Sequence, residues 1–158
     1  MIEVEVEDEA WTLALPDAAA IASQAAIAAA GRGPGGEIAI LLTGDEVVRD
    51  LNARFLGRDK ATNVLSFPAP SMATGQLGDI ALAFGVCAAE ARDQAKPLAD
   101  HLRHLVIHGV LHLLGYDHEA EADAERMESL ERRLLAEMNI ADPYSERPDQ
   151  GDHVQHRP

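Results

Sequence analysis

The chain begins with strict alternation. Ile2, Val4 and Val6 are separated by Glu3 and Glu5, a period of two that places the apolar residues on one face of a strand. The stretch "PDAAAIASQAAIAAAG" changes to a helical pattern, with Pro16 near its start and Gly31 just past its end. Its alanines suit close packing against a sheet. "EIAILL" (37–42) reads as a short buried strand. "TGDEVVRDLNARFLG" follows as a helix, with Thr43 and Glu46 at capping-box spacing. Val47, Leu51 and Phe55 fall on one face of it. "TNVLSFP" (62–68) reads as a strand ended by Pro68, 70–78 as a loop and "DIALAF" (79–84) as the next strand. Residues 86–95 read as a helix closed by Pro97.

Residues 98–114 are apolar on nearly every side, the pattern of a buried helix, and Gly115 can end it in a left-handed cap. Residues 119–139 are amphipathic, with Met127, Leu130, Leu134 and Met138 as one stripe. From Pro143 onward the chain has almost nothing to bury and reads as mobile. There are no internal repeats. These elements predict one α+β domain over 1–142, a mixed sheet of about four strands packed with helices. A flexible tail (143–158) follows.

Composition narrows the function classes. The 158 residues are the size of one ordinary domain, and 47% are hydrophobic, enough for a core. Cys87 is the single cysteine, so an internal disulfide and a cysteine zinc cluster are both ruled out. The acidic N-terminal stretch lacks the basic region and long apolar run of a signal peptide. No segment approaches the roughly 18 apolar residues of a membrane span. A cytoplasmic protein without membrane contact is the expectation. The formal charge of −14 argues against bulk nucleic-acid binding, yet it does not exclude a local positive site.

That local charge has a candidate source. "HGVLHLLGYDH" (108–118) carries three histidines in a run otherwise fit for a core helix. His108 and His112 are four apart and project from one helical face. This is the spacing that lets two imidazoles reach one ion at Zn–N distances of about 2.0–2.1 Å. A turn at Gly115-Tyr116-Asp117 can fold His118 back towards them. His104 and His112 are eight residues apart, about 12 Å along a helix, so His104 reads as an outer or structural residue, and His101 likewise. His153 and His156 fall in the tail and read as solvated. Three neutral ligands leave nearly the whole 2+ charge of one zinc ion in place. They also leave an open position, where bound water loses its proton near neutral pH. Either a phosphodiester or a carbonyl could then be attacked. The peptidase motif H-E-x-x-H needs a glutamate after its first histidine. Gly109 stands there, which shifts the balance away from proteolysis.

The same run resembles the H-G-x-L-H-L-x-G-Y-D-H signature of the YbeY family of bacterial endoribonucleases. "DKATNVLSFP" (59–68) resembles its D-K-P-T-[DN]-V-L-S-F-P segment, "LGDIAL" (77–82) its L-G-D-I strand and "DPY" (142–144) its C-terminal ending. The likeness runs from about residue 40 to 144. It implies one zinc on His108, His112 and His118 and cleavage of single-stranded RNA. It further implies late maturation of the small-subunit ribosomal RNA 3′ end, ribosome quality control, and contact with the small ribosomal subunit and its assembly factors. The chain departs from the family at Leu56, where an arginine of Y-R-G-K-D is usual, and at Ala61, which replaces a proline. Either Arg58 takes over the phosphate contact, or this protein handles RNA differently.

Combined, these readings make His112 and Arg58 the candidate catalytic residues, with Lys60 near the phosphate. Ser66, Asp79 and Asp117 are candidates for the border of the site, each with a plainer reading as a sheet or turn hydrogen-bonding residue. Asp117 in particular could hold a histidine ring from behind. Two other classes stay open: a ribosome-assembly binding factor whose zinc is structural, and a metal-dependent hydrolase of another bond such as a peptide.

Overall fold

The computed structural model describes residues 1–31, 36–70, 75–116 and 121–144. In chain order its elements are β1 (Ile2–Val6), α1 (Ala10–Ala14), α2 (Ala18–Ala30), β2 (Glu37–Thr43), α3 (Asp45–Leu56), β3 (Val64–Pro68), β4 (Gln76–Ala83), α4 (Phe84–Asp93), α5 (Leu98–Leu113) and α6 (Glu121–Glu137). The four strands lie in the order β1-β2-β4-β3. β1, β2 and β4 run parallel, and β3 returns antiparallel along β4, with Ser66 opposite Ile80 and Phe67 opposite Asp79. The architecture is the expected α+β domain with a mixed four-stranded sheet.

Alternation along the strands divides the sheet into two unequal faces. Ile38, Ile40, Leu42, Val64, Ile80 and Leu82 point into the main core, where α2 and α5 pack on them and on each other. α2 buries five alanines and one isoleucine, Ile21, so its backbone approaches β1 and α5 closely. Leu65, Ala81 and Ala83 point the other way, to a smaller cluster with Val48 of α3.

Three local expectations change. Thr43 does not cap α3: it is the last residue of β2, and Gly44 is the N-cap without a side-chain hydrogen bond. The Thr43 hydroxyl donates to Glu7 Oε1 at 2.6 Å instead. The inner face of α3 is centred on Val48 and Asn52 rather than on Val47 and Phe55, which is 63% exposed. β4 begins at Gln76, inside the expected loop. α1 was not expected at all, since five residues are too few to show a period. Its start is held by Asp8 Oδ1, which accepts from the Ala10 amide at 2.9 Å. Its anchor is Trp11, fully buried, with Nε1–H on the Thr43 carbonyl at 2.9 Å.

α5 ends as the sequence suggests. Gly115 has φ +102°. The amides of Gly115 and Tyr116 donate to the carbonyls of His112 and Leu111, both at 3.0 Å, the paired bonds of a left-handed helix cap. Gly78 of the "LGDI" segment (φ +149°) admits no side chain: a Cβ there would lie 2.3 Å from the Phe67 carbonyl and 2.8 Å from Leu113. The strand pair β3–β4 and the end of α5 therefore meet at this glycine.

Candidate metal centre on helix α5

α5 presents His101, His104, His108 and His112 in succession along one side, with ring centroids 6.2, 6.4 and 4.7 Å apart. The first three are buried and His112 is half-buried. His108 and His112 turn their Nε2 atoms towards each other at 3.2 Å. Two nitrogens bound tetrahedrally to one zinc at about 2.05 Å would be about 3.3 Å apart, so the pair fits two positions of such a site. Among the described residues there is no cluster of three or more candidate ligands. The expected third ligand, His118, and its neighbour Asp117 lie outside the described residues, as do His153 and His156.

Behind the pair sits a residue the sequence reading passed over. Glu131, on α6, is 0% exposed. Its Oε2 accepts from His108 Nδ1 at 2.7 Å, and its Oε1 from His104 Nε2 at 3.0 Å. The Tyr144 hydroxyl also donates to Oε1. Burial works to raise the Glu131 carboxyl, but the attraction and hydrogen bonds of His108 and His104 outweigh it. The group is held well below the usual carboxylate range. Burial pulls His104 down to about 4 against the partial support of Glu131, so its ring is neutral at physiological pH. No sequence signal singled out Glu131, because it lies in a helix dense in acids, 23 residues from His108. The apolar stripe on α6 was the only hint, since Glu131 shares its buried side with Met127, Leu134 and Leu135.

The "DPY" turn docks beside this carboxylate. Asp142 Oδ1 accepts from the Tyr144 amide at 2.8 Å, and Oδ2 pairs with Arg132 Nε at 3.0 Å. The Arg132 guanidinium lies 5.2 Å from the Tyr144 ring centre. Pro143 is buried. Residues 145–158 lie outside the described residues.

His101 belongs to a separate pair. Its Nε2 meets Glu90 Oε1 of α4 at 2.8 Å, and the same oxygen accepts from Asn63 Nδ2 at 2.9 Å. Ser66 faces α5 and donates to the Gly109 carbonyl at 3.3 Å. A Cβ on Gly109 would stand 3.1 Å from both Ser66 Oγ and Ile80 Cδ1, so glycine lets α5 lie this close to the sheet.

The other candidates lie on other elements. Asp79 is exposed on the opposite face of the sheet. There it borders a groove of about 710 Å³ with Phe55, Phe67, Glu3 and Glu5. Arg58 and Lys60 are exposed on the loop after α3. That loop is shaped by Asn52, whose carbonyl accepts the Arg58 amide at 3.2 Å and whose Nδ2 donates to the Lys60 carbonyl at 2.9 Å. Asp59 is paired with Arg49 at 2.8 Å rather than with Arg58. Leu56, where the family has arginine, is 50% exposed at the end of α3.

The family model described as Endoribonuclease YbeY matches residues 3–139. The chain belongs to the YbeY family. A YbeY endoribonuclease of Maricaulis maris is 51% identical over 156 residues, covering 96% of this chain and 97% of the relative. One from Paramagnetospirillum magneticum is 49% identical over 157 residues, covering 92% and 96%. The solution structure of a Thermotoga maritima protein has the same fold, with a TM-score of 0.55 at 23% identity over 91% of this chain and 99% of the other. The described part of the YbeY signature thus lies at the end of α5 and its cap, the "LGDI" glycine packs against that end, and the "DPY" turn meets Glu131 and His104. Among the described residues no helix is long and apolar enough to cross a membrane.

Proposed function

We propose that this protein is a zinc-dependent endoribonuclease that cleaves single-stranded RNA. It acts in maturation of the small-subunit ribosomal RNA 3′ end and in ribosome quality control. Family membership supports the RNA-cleaving hydrolase, and its relatives are named endoribonucleases. The observation that carries the metal is the His108–His112 pair, with Nε2 atoms 3.2 Å apart and His108 backed by a buried carboxylate.

His108, His112 and His118 would hold the ion. Bound there, zinc would supply the positive charge and Lewis acidity that phosphodiester cleavage draws on at neutral pH. The protein's own part is orientation and charge. His108 keeps its proton on Nδ1 through Glu131 and directs Nε2 towards His112. Half-buried His112 stands at the boundary between the core and solvent, where a phosphate can approach. Arg58 and Lys60 offer exposed cations for the RNA backbone in a chain of net charge −14. Ser66, bonded to the Gly109 carbonyl, seats α5 on the sheet.

Elemental analysis and a cleavage assay on a single-stranded RNA test this reading. One zinc per chain is expected, with cleavage lost on chelation and regained with zinc. A Arg58→Ala variant is expected to keep its zinc and lose about tenfold in cleavage. Cleavage that survives both chelation and His112→Ala would point to a contaminant and end the proposal. Cleavage of casein with no cleavage of RNA would favour a different bond.

A further inference from the structure

We infer that Glu131 is the positioning residue of the metal centre, and that the Asp142–Tyr144 turn locks it in place. This rests on the zinc reading above and deepens it. A carboxylate with no solvent exposure is costly to bury unless its lone pairs are filled. Both oxygens of Glu131 accept hydrogen bonds: Oε2 from His108 Nδ1, and Oε1 from His104 Nε2 and the Tyr144 hydroxyl. The His104 assignment follows from its ring. Its Nδ1 is buried and has no hydrogen-bond partner among the described residues, so its proton belongs on Nε2, against the carboxylate.

The consequence falls on His108. Its proton is held at Nδ1, so the lone pair of Nε2 is directed at the point His112 also faces. With the proton on Nε2 instead, His108 would donate to His112 across the same 3.2 Å and close the site to a cation. A buried carboxylate that fixes the tautomer of a ligating imidazole orients the ring and raises its basicity. Tyr144 contributes from outside. Its ring stands edge-on to His104 at 5.7 Å and is itself held by Arg132 and Asp142. The C-terminal turn therefore clamps the carboxylate between α5 and α6.

An amide cannot replace this carboxylate. Glutamine accepts at one end only, and its NH2 must then face His108 on one side or the two donors on the other. The test is zinc affinity by competition with a chromophoric chelator, together with the visible spectrum of the cobalt-substituted protein. Thermal unfolding of the metal-free protein is the control. Glu131→Gln is expected to weaken zinc binding about 10–100-fold and to change the cobalt bands. Tyr144→Phe removes one donor and leaves His108 in contact, so a smaller loss of about threefold is expected with the bands kept. A purely structural role would lower the unfolding temperature and leave affinity and spectrum at wild-type values, and that result overturns the inference while zinc binding by the wild type stands. Should Glu131→Gln fail to fold, wild-type affinity in Tyr144→Phe overturns it. A wild type that binds no zinc removes both this inference and the reading beneath it.

Discussion

α5 carries a carboxylate–histidine pair near each end, and the two are built differently. At its start, His101 meets Glu90 of α4, whose side chain is 26% exposed and shares its oxygen with the Asn63 amide. Nearer its end, His108 meets Glu131 of α6, whose side chain is 0% exposed and has donors on both oxygens. The bond lengths hardly differ, 2.8 against 2.7 Å. What differs is the other ring nitrogen. That of His108 confronts His112, whereas His101 ties α4 and the entry to β3 against α5. A histidine–carboxylate bond by itself is a structural tie. In the proposed zinc site it becomes the rear half, because a second imidazole stands across from the His108 ring.

The largest expected effect separates the two ends. His112→Ala should lower RNA cleavage by at least about 100-fold and abolish zinc binding, while the metal-free fold survives because the side chain is half-buried. His101→Ala should leave zinc binding intact and cost about 2 kcal/mol in urea unfolding, through the hydrogen bond lost at Glu90 and a small cavity. Loss of zinc from His101→Ala would erase the distinction between the ends.

Acid should attack the Glu131 end next. His104 takes a proton at about 4 when folded and at 6.5 when free. Between these values the unfolded chain binds more protons, so stability falls as pH drops from about 6.5 to 4, by on the order of 3 kcal/mol. Glu131, held well below its ordinary value, contributes stability that is present above pH 4.5 and lost below it as the pH falls through its folded value. Both act in the same direction. Denaturant titrations at a series of pH values should show a flatter slope between 6.5 and 4 for His104→Gln.

The smallest of these effects concerns the middle of α5. Gly109→Ala should destabilise by about 1–2 kcal/mol, since its Cβ must displace Ile80 and Ser66. Zinc affinity should fall only as far as the helix shifts, and a neutral result would mean the sheet yields easily there.

Much of the helix end was readable in advance. The four-residue spacing places His108 and His112 on one face of any helix, and a glycine after the last periodic residue is where a left-handed cap can form. The backbone angle of Gly115 and its two cap bonds agree. α3 was placed correctly but turned by about one position, because Phe55 looks like a core residue until its surroundings are known. It packs on Phe67 from the exposed side, with ring centres 5.8 Å apart. The Thr43–Glu46 spacing misled because a threonine ending a strand can spend its hydroxyl on a neighbouring strand's extension, here Glu7.

Sequence alone determined the strands, the long helices, the α+β class, the family and the imidazole pair. These depend on local periods and on spacings within one element, which a linear chain displays directly. Tertiary structure decided which charge is buried. α6 offers many acids, and only packing selects Glu131, by setting it between His104 and His108 and beneath Tyr144, where three donors compensate its desolvation. It also separated Asp79 from the histidines, because adjacent positions on a strand face opposite sides of the sheet. Burial and cross-element hydrogen bonds are properties of the folded surface, and no pattern along the chain encodes them.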